Sequence, residues 1–334
     1  MVLLLGATGY IGQAFARELR RRGNCFIPLS RNAFDYTRFE LLFDYVRNMK
    51  PEFLINAAGF AGRPNVDSCE VERMETFQAN TLLPRTIGRV CVMTNTPWAH
   101  VSSGGLYAGS KVFEGKHMRV ERDLNRAEVR ELFEVHPEKF FGFTELDEPN
   151  FSFRCPPCSF YEGTKALAEE ALRSQSQTFI WRFQLPFDER DSPRNFLAKL
   201  QRYRKVYDHV TSLSHLEDSV RACLDLAERR AAFGIYNIAN PGVVTTRQVV
   251  ELIQRIVKPP RDFHYWLDDE EFYSVDGRAP RASCILDVSK LLRTGIKMRR
   301  VEEALEEALI RWRETSQEQQ KTAPESPFLA MQSN

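Results

Sequence analysis

The first residues of the chain constrain its fold more than any other stretch. The run MVLLLGATGYIG begins as a short apolar strand, turns through glycines and leads into the amphipathic helical pattern YIGQAFARELRRRG. Gly6, Gly9 and Gly12 stand three residues apart at this turn. Glycine permits the tight turn and lets the helix pack closely against the strand. Such a strand–turn–helix unit predicts an α/β fold.

The same alternation of strand and helix continues through the first half of the chain. The apolar runs CFIPLS, EFLINAAG, WAHVSS and TFIWRF alternate with the helical patterns YTRFELLFDYVRNMKP, CEVERMETFQANTLLPRTIGRVCVMT and YEGTKALAEEALRSQS. Strands that are apolar on both faces are typical of a parallel sheet covered by helices on both sides. We therefore predict an α/β fold, a Rossmann-type doubly wound parallel sheet with a smaller C-terminal lobe.

The glycine turn is also a candidate cofactor site. Its backbone N–H groups can approach a pyrophosphate, and the N-terminus of the following helix favours an anion. The second strand ends in Ser30 and Arg31, where an acidic residue would favour a free ribose hydroxyl. Because arginine pairs well with a 2′-phosphate, we expect NADPH, with NADH as the alternative. Asp35 is a candidate contact for the adenine, and the small residues of NAAG (56–59) suit a flat ligand.

Composition excludes several classes of protein. The chain has 46 basic and 45 acidic residues, a net charge of +1, and so lacks the field that attracts nucleic acid or anionic membranes. The odd number of cysteines, seven, favours reduced thiols in a cytoplasmic protein. Cys155 and Cys158 of CPPC have ligand-like spacing, but no second pair completes a metal site. We expect no metal, signal peptide or membrane-spanning helix, and a homodimer is compatible with the sequence.

A candidate reaction centre lies in the stretch YEGTK. Tyr161 and Lys165 stand one helical turn apart on the same face, and a nearby ammonium group stabilises a phenolate. Ser103 ends the strand WAHVSS and can bind the substrate oxygen while Tyr161 passes the proton. We expect these three residues to be catalytic, with Lys165 also holding the nicotinamide ribose.

These residues, with the glycine turn, Asn56 and Asn80, resemble the extended short-chain dehydrogenase/reductases that act on nucleotide sugars. The sequence is similar to the branch that reduces nucleotide-linked 4-keto-6-deoxyhexoses in rhamnose synthesis, in particular the plant-type bifunctional 3,5-epimerase/4-reductases. The supporting stretches are NAAGFAGRPNVDSCE (56–70), GFTELDEPNFS (142–152), SFYEGTKALAEEAL (159–172), SPRNFLAKLQRYRKV (192–206), NIANPGVVT (237–245) and RAPRASCILDVSKL (278–291). The resemblance implies a reductase of the C4 ketone and a C-terminal lobe that closes over a nucleotide sugar.

The resemblance also implies two sets of binding residues. The cofactor set is Gly6, Thr8, Gly9, Tyr10, Ile11, Gly12, Ser30, Arg31, Asp35, Asn56, Ala57, Ala58, Asn80, Tyr161, Lys165 and Leu185. The substrate set is Arg63, Asn65, Ser103, Arg194, Asn195, Lys199 and Arg281. Arginine suits the second role because a guanidinium fork matches a diphosphate ester. His215 and Asp218 match a family motif as well, and we expect them to stabilise the lobe.

The domain boundaries follow from these assignments. We expect the dinucleotide-binding domain over residues 1–185, a mixed α/β substrate-binding lobe over 186–314 and a disordered tail over 315–334. The tail is polar and contains proline. Residues 108–157 interrupt the alternation with a charged segment that includes the helical pattern RVERDLNRAEVRELFEVH. We interpret them as an insertion over the surface, in which residues 112–140 could form a subunit contact.

Two glycines after Ser103 restrict the reaction. Dehydratases of this superfamily carry an Asp–Glu pair where this chain has Gly104 and Gly105, which argues against 4,6-dehydration. Epimerisation beside a ketone needs one group to take a proton and another to return it on the opposite face. The resemblance implies that in the bifunctional relatives these two groups are a cysteine and a lysine. The lysine is retained as Lys199, but the cysteine position is Gly105. We therefore expect a reductase without epimerase activity, unless a displaced group such as Cys158 or His100 serves.

Two alternatives stay open. The chain could be a bifunctional 3,5-epimerase/4-reductase despite the glycine at position 105. From a different class, it could be a catalytically silent NAD(P)-binding regulatory subunit. The intact set of Ser103, Tyr161 and Lys165 favours an enzyme.

Overall fold

A six-stranded parallel sheet forms the centre of the computed structural model, which describes the backbone of residues 1–322 and the side chains of residues 1–318. The strands in chain order are β1 (Val2–Leu5), β2 (Phe26–Leu29), β3 (Phe53–Asn56), β4 (Trp98–Ser103), β5 (Ser110–Glu114), β6 (His117–Glu121), β7 (Phe140–Phe141), β8 (Thr178–Phe183), β9 (Lys205–Val206), β10 (Val210–Thr211), β11 (Gly234–Ile238), β12 (Val244–Thr245) and β13 (His264–Tyr265). The central sheet has the order β11-β8-β4-β3-β1-β2, and all its neighbouring strands are parallel. The predicted α/β class with a parallel sheet is confirmed.

Helices cover both faces of this sheet. In chain order they are α1 (Tyr10–Arg21), α2 (Phe39–Met49), α3 (Arg73–Phe77), α4 (Leu83–Met93), α5 (Ala127–Val135), α6 (Phe160–Leu172), α7 (Phe196–Arg202), α8 (Leu216–Glu228), α9 (Thr246–Ile256), α10 (Asp269–Val275), α11 (Ser289–Arg293) and α12 (Val301–Thr322). In β1, Leu4 packs with α1 and α8 on one face, whereas Leu3 and Leu5 pack with α2 and α4 on the other. Because side chains alternate along a strand, an unbroken run of leucines requires apolar layers on both faces.

The order of the strands places a crevice next to the glycine turn. β1 lies between β2 and β3, so the chain changes direction across the sheet after β2. In open α/β sheets, ligands bind outside the carboxyl ends of the strands at such a switch point. The residues that follow β1 and β3, namely Gly6 and Ala57–Ala58, therefore lie where a dinucleotide is expected.

The long helix predicted over residues 69–94 is interrupted. A 3₁₀ turn (Val66–Glu70) and α3 are followed by a π-helical turn (Gln78–Leu82), which continues into α4. The π turn buries Asn80 and Thr81, and the Thr81 hydroxyl donates to the carbonyl of Thr164 in α6 at 2.8 Å. Such turns occur frequently at functional sites because they redirect a side chain within a helix. The apolar periodicity predicted the helix but not this change of register.

Residues 108–157 are more than a surface insertion. The pattern predicted as helical over 119–136 begins in strand β6 and becomes helix α5 only at Ala127. Strands β5, β6 and β7 form an antiparallel sheet, and bridges between Gly109 and Cys284 and between Phe143 and Leu286 join this segment to the C-terminal part of the chain. Its buried core pairs Val112, Leu124, Val129 and Phe140 with Val210 and Ile285. Residues 109–143 therefore pack with the C-terminal part of the chain, whereas Phe153 and Arg154 contact α6.

The C-terminal lobe has its own apolar core, to which α7, α9 and α12 contribute. An ion-pair network adjoins it: Arg299 donates to Asp218 at 2.9 and 3.0 Å and lies 3.0 Å from His215 Nδ1. Burial alone would raise the pKa of Asp218, but hydrogen bonds from His215 and Arg299 hold it well below its ordinary value. His215 and Asp218 thus have a partner in Arg299, and their role in stabilising the lobe stays a prediction.

The C-terminal tail differs from the prediction in its first residues. We predicted disorder from residue 315, whereas α12 continues to Thr322. The rest of the predicted tail, residues 323–334, lies outside the described residues. Within residues 1–322, none of the helices is both long and apolar enough to cross a membrane.

Candidate active site

The turn after β1 forms an open cradle of glycines. Gly6 has a φ of +74°, and its N–H donates to the carbonyl of Leu29 at 3.0 Å. A Cβ on Gly12 would lie 2.1 Å from the Gly6 carbonyl oxygen, so α1 can approach β1 this closely only with glycine there. At Gly9 the nearest atom to a Cβ would be 3.4 Å away, and Thr8 and Gly9 are exposed. The space above the turn fits the pyrophosphate of a dinucleotide.

Beside the turn, a groove of about 460 Å³ runs to the end of β2. It is lined by Ala7, Thr8, Gln13, Ala16, Arg17, Arg20, Pro28 and Ser30. Arg31 is exposed at its end. The side chain of Asp35, a candidate adenine contact, accepts hydrogen bonds from the backbone and hydroxyl of Thr37 instead.

Several predicted cofactor residues use their side chains within the protein. The Tyr10 hydroxyl donates to Asp188 at 2.7 Å, and Ile11 packs against the core. Asn56 is fully buried: its amide lies 3.0 Å from His100 Nδ1, and its oxygen accepts from the N–H of Ala58 at 3.0 Å. Leu185 packs against the core of the C-terminal lobe. The side chains of Tyr10, Asn56 and Leu185 therefore have partners within the protein, and their contact with the cofactor stays a prediction.

The ends of β3 and β4 and the helix α6 bring the candidate catalytic residues together. Ser103, at the end of β4, accepts from the N–H of Gly105 at 3.1 Å and donates to Glu162 at 3.3 Å. The ammonium of Lys165 donates to the carbonyl of Val101 at 3.2 Å and lies 6.0 Å from the centre of the Tyr161 ring. The three predicted residues thus belong to one cluster, linked through Glu162.

Asn80 supports this cluster from the π turn. Its side-chain oxygen accepts from the N–H of Phe60 at 2.8 Å, and its amide donates to the Phe60 carbonyl at 2.7 Å. A Cβ on Gly59 would lie 3.2 Å from this oxygen and 3.5 Å from Lys165 Nζ. Asn80 therefore fixes the loop that follows β3 against the candidate catalytic lysine.

The pKa values of the cluster differ in cause from our expectation. Burial raises the pKa of Tyr161, Glu162 and Cys69 raise it further, and the cation that lowers it is Arg194 rather than Lys165. Burial lowers the pKa of Lys165 to about 8, while Glu162 and Glu169 oppose the change. Tyr161 thus keeps its proton at neutral pH, which is the state that a proton donor requires.

Four cations of the predicted substrate set surround one region. Burial and then Arg194 and Arg281 lower the pKa of Lys199 to about 8. Burial also lowers the pKa of Arg194, and the positive charge of Arg63 lowers it further. Arg194 donates to the carbonyls of Ala61 and Gly62 at 3.1 and 2.5 Å. This concentration of positive charge is suited to an anionic ligand.

Arg281 has a carboxylate partner but also a spare nitrogen. One of its terminal nitrogens, Nη2, donates to Asp67 at 2.7 Å, whereas the buried Nη1 has no hydrogen-bond partner. Asn65 and Asn195, predicted to lie toward the sugar nucleotide, cap helical turns instead. Asn65 accepts from the N–H of Asp67, and the fully buried Asn195 accepts from that of Leu197 at the start of α7. Their side-chain oxygens are thus engaged at these caps, and their contact with a sugar nucleotide stays a prediction.

Glu162 is the functional candidate that sequence reasoning missed. It follows Tyr161 in α6, yet its carboxyl group reaches the end of β4 and bonds Ser103. Burial raises its pKa to about 7. The only signal in the sequence was an acidic residue inside YEGTK, and local spacing does not show that this residue meets Gly105, which lies 57 positions away.

The displaced groups considered for epimerisation do not suit that role. His100 is fully buried in β4, where it pairs with Asn56, and burial holds its pKa well below its ordinary value. Burial raises the pKa of Cys158 to about 11, so this thiol is protonated at neutral pH and does not suit the group that takes the proton. In residues 1–318, no group of three or more His, Cys, Asp or Glu side chains has an arrangement that could hold a metal ion.

The sequence matches known proteins over nearly its whole length. Residues 1–314 match the family described as RmlD substrate binding domain. A bifunctional dTDP-4-dehydrorhamnose 3,5-epimerase/dTDP-4-dehydrorhamnose reductase of Arabidopsis thaliana is 29% identical over 291 residues, which are 86% of this chain and 85% of that protein. A trifunctional UDP-glucose 4,6-dehydratase/UDP-4-keto-6-deoxy-D-glucose 3,5-epimerase/UDP-4-keto-L-rhamnose-reductase of the same plant is 29% identical over 91% of this chain. The chain spans about two fifths (41%) of the length of this trifunctional relative.

A solved structure shows the same fold. The dTDP-4-dehydrorhamnose reductase of Bacillus anthracis, in complex with NADP, superposes with a TM-score of 0.72 at 19% identity. The match covers 92% of this chain and 98% of that protein.

Proposed function

We propose that this chain, which belongs to the RmlD substrate binding domain family, reduces the C4 ketone of a nucleotide-activated 4-keto-6-deoxyhexose with NADPH. The observation that carries the proposal is the position of Arg194. Its charge acts on Tyr161 and on Lys199, so the candidate proton donor adjoins the cationic cluster. A substrate that reaches both Tyr161 and the cationic cluster has a reducible carbonyl group close to a diphosphate. The names of the Arabidopsis relatives, which include reduction of a nucleotide-linked keto sugar, support this substrate class.

Each catalytic residue has a distinct task in this reaction. NADPH, when bound, supplies the hydride. Ser103 hydrogen-bonds the ketone oxygen and polarises it, and Tyr161 donates the proton that the oxygen takes up as it becomes a hydroxyl. Lys165 holds the nicotinamide ribose, which its position beside Gly59 and Asn80 favours. Arg63, Arg194 and Arg281 bind the diphosphate, because guanidinium groups match phosphate oxygens in charge and geometry.

The preference for NADPH rests on the end of β2. Ser30 lines the groove beside the glycine turn, and Arg31 is exposed next to it. No carboxylate follows β2 directly to bind a free 2′-hydroxyl, and the side chain of Asp35 is engaged by Thr37. The NADP complex of the Bacillus anthracis protein is consistent with this choice. A cytoplasmic location and a homodimer stay predictions.

An assay with two substrates tests the proposed reaction. The chain is incubated with NADPH and a UDP- or dTDP-linked 4-keto-6-deoxyglucose, with and without a separate 3,5-epimerase, and oxidation of NADPH is followed by absorbance. We expect oxidation at least when the epimerase is present. If NADPH binds but is not oxidised with either nucleotide, the proposal is wrong and the regulatory-subunit alternative is favoured.

Replacement of Arg31 tests the choice of cofactor. We expect Arg31→Ala to lower the preference for NADPH over NADH by about 10- to 100-fold, because a hydrogen bond to a charged group contributes about 1.5–3 kcal/mol. Arg31→Lys keeps the charge but loses the planar guanidinium group. Its preference for NADPH should therefore lie between that of the unaltered chain and that of Arg31→Ala. The measurement is kcat/KM for each cofactor. An unchanged ratio in Arg31→Ala would place the 2′-phosphate elsewhere.

A further inference from the structure

The carboxyl group of Glu162 occupies the space that a side chain at position 105 would fill. A Cβ built on Gly105 would lie 2.3 Å from Glu162 Oε1 and 2.7 Å from its carboxyl carbon. The nearest atoms to a Cβ on Gly104, by contrast, belong to Leu286 and Gln184. A side chain at position 105 would therefore require the carboxyl group of Glu162 to move. The site lacks an acid–base side chain at residue 105 but has an acid–base group at that place.

This carboxyl group has the features of a proton-transfer group. Glu162 Oε1 accepts from the Ser103 hydroxyl, whereas the buried Oε2 has no hydrogen-bond partner. Burial raises its pKa to about 7, Ser103 and Lys165 lower it, and Glu169 raises it. The other titratable groups near it are the Tyr161 phenol and the thiols of Cys158 and Cys284. A purely structural carboxylate is normally satisfied at both oxygens, so the oxygen without a partner leaves this carboxyl group able to take up a proton.

A second proton-transfer group comes from a different part of the fold. Lys199 lies in α7 of the C-terminal lobe, whereas Glu162 lies in α6 against the central sheet. Within residues 1–318 the ammonium of Lys199 has no hydrogen-bond or ion-pair partner. Its neighbouring charges are Arg194 and Arg281, and with burial they lower its pKa to about 8. Epimerisation needs two groups on opposite faces of the sugar. Arg194 links the surroundings of the two groups, because its charge acts both on Lys199 and on Tyr161, the residue before Glu162.

We propose that Glu162, paired with Lys199, exchanges the proton on the carbon next to the substrate ketone, so that the chain is a 3,5-epimerase as well as a reductase. This inference rests on the proposed keto-sugar substrate. It reverses the expectation drawn from the glycine at position 105.

The step requires no additional reactant. Glu162 takes the proton from C5 or C3, and the electrons of that C–H bond form the enolate, with the charge on the C4 oxygen. Tyr161 stabilises that oxygen by hydrogen bonding, and the Ser103 hydroxyl does so once it turns from Glu162 to the substrate. Lys199 then donates a proton to the carbon from the opposite face, and the C4 ketone forms again with inverted configuration at its neighbour. No hydride is transferred, so this step proceeds without NADPH.

The charge states of the two groups define a pH window. Glu162 accepts a proton only when it is ionised, above about pH 7, and Lys199 donates one only when it is protonated, below about pH 8. A plot of the exchange rate against pH should therefore be bell-shaped, with its maximum between these two values.

Solvent exchange tests the proposal separately from reduction. Each variant is incubated in D₂O with a nucleotide-linked 4-keto-6-deoxyglucose without NADPH, and deuterium at C3 and C5 is measured by NMR. We expect exchange by the unaltered chain and a loss of about 10²-fold or more in Glu162→Gln, since glutamine keeps the shape and the bond from Ser103 but accepts no proton. Glu170→Gln is the matched control on the exposed side of α6 and should exchange normally. In the double variant Gly105→Cys/Glu162→Ser, the thiol has room, and exchange should return in part.

A second assay separates failure of this inference from failure of the proposed function. NADPH oxidation is measured with substrate that has already been epimerised. If Glu162→Gln reduces this substrate but exchanges no deuterium, the inference is supported. If the unaltered chain reduces it without exchange, or Glu162→Gln exchanges as fast as the unaltered chain, the inference is overturned while the reductase stands. If the unaltered chain exchanges deuterium but does not oxidise NADPH, and Glu162→Gln loses the exchange, the role of Glu162 is supported and the proposed reductase is contradicted. If the unaltered chain neither exchanges deuterium nor oxidises NADPH, both proposals are overturned.

Discussion

Replacing Tyr161 with phenylalanine should reduce turnover by at least about 10²- to 10⁴-fold, the range that a general acid contributes. The phenol is the proton donor for the C4 oxygen, and its raised pKa keeps the proton in place at neutral pH. Phenylalanine removes the hydroxyl but keeps the ring beside the Lys165 ammonium, which lies 6.0 Å from its centre. The measurement is kcat for NADPH oxidation with a keto-sugar nucleotide that has already been epimerised.

Cofactor binding distinguishes loss of the acid from loss of the site. Lys165 is held by its hydrogen bond to the Val101 carbonyl, and the turn after β1 is held by the close packing at its glycines. Neither contact involves the Tyr161 hydroxyl. We therefore expect Tyr161→Phe to bind NADPH within about threefold of the unaltered chain, as measured by fluorescence titration. Unchanged turnover would exclude Tyr161 as the acid. A parallel loss of cofactor affinity would show that the substitution disturbed the site as a whole.

The features that were predictable from the sequence are local ones. The parallel sheet follows from apolar strands alternating with helices, and the cradle follows from glycines at one turn. Tyr161 and Lys165 stand one helical turn apart, so their proximity is a property of α6 itself. Ser103 could be predicted because strands of a parallel sheet present their carboxyl ends at the same edge.

The features that were missed depend on contacts between distant residues. Glu162 meets Gly105 only because α6 packs against the end of β4, and no local pattern reports that distance. Residues 108–157 looked like an insertion because their pairing partners, such as Cys284 and Leu286, come much later in the chain. Asn65 and Asn195 were placed toward the ligand by the family resemblance, and the sequence alone did not show that their side chains cap helical turns.

A buried ion pair joins β8 to the helix α6, and a hydrogen bond from Ser102 joins β4 to the same carboxylate. Arg182 in β8 donates to both carboxylate oxygens of Glu169 in α6, the shortest of these bonds being 2.6 Å, and also to the Tyr107 hydroxyl at 2.7 Å. Ser102, next to Ser103 in β4, donates to the same carboxylate at 2.6 Å. Arg182 is 2% and Glu169 5% exposed. This network ties together the elements that carry Ser103, Tyr161 and Lys165.

We expect Glu169→Gln to lower the free energy of unfolding by about 3–5 kcal/mol, because it leaves the Arg182 charge buried without a counter-charge. Glu170→Gln is the matched control, since Glu170 pairs with the exposed Arg154 and such a pair contributes about 0–1 kcal/mol. In Glu169→Gln/Arg182→Met the buried charge is gone while glutamine still accepts from Ser102, so the double variant should be more stable than Glu169→Gln alone. Urea unfolding of the variants measures these differences. A double variant less stable than the single one would mean that the hydrogen bonds of Arg182, rather than the balance of charge, hold the catalytic helix against the sheet.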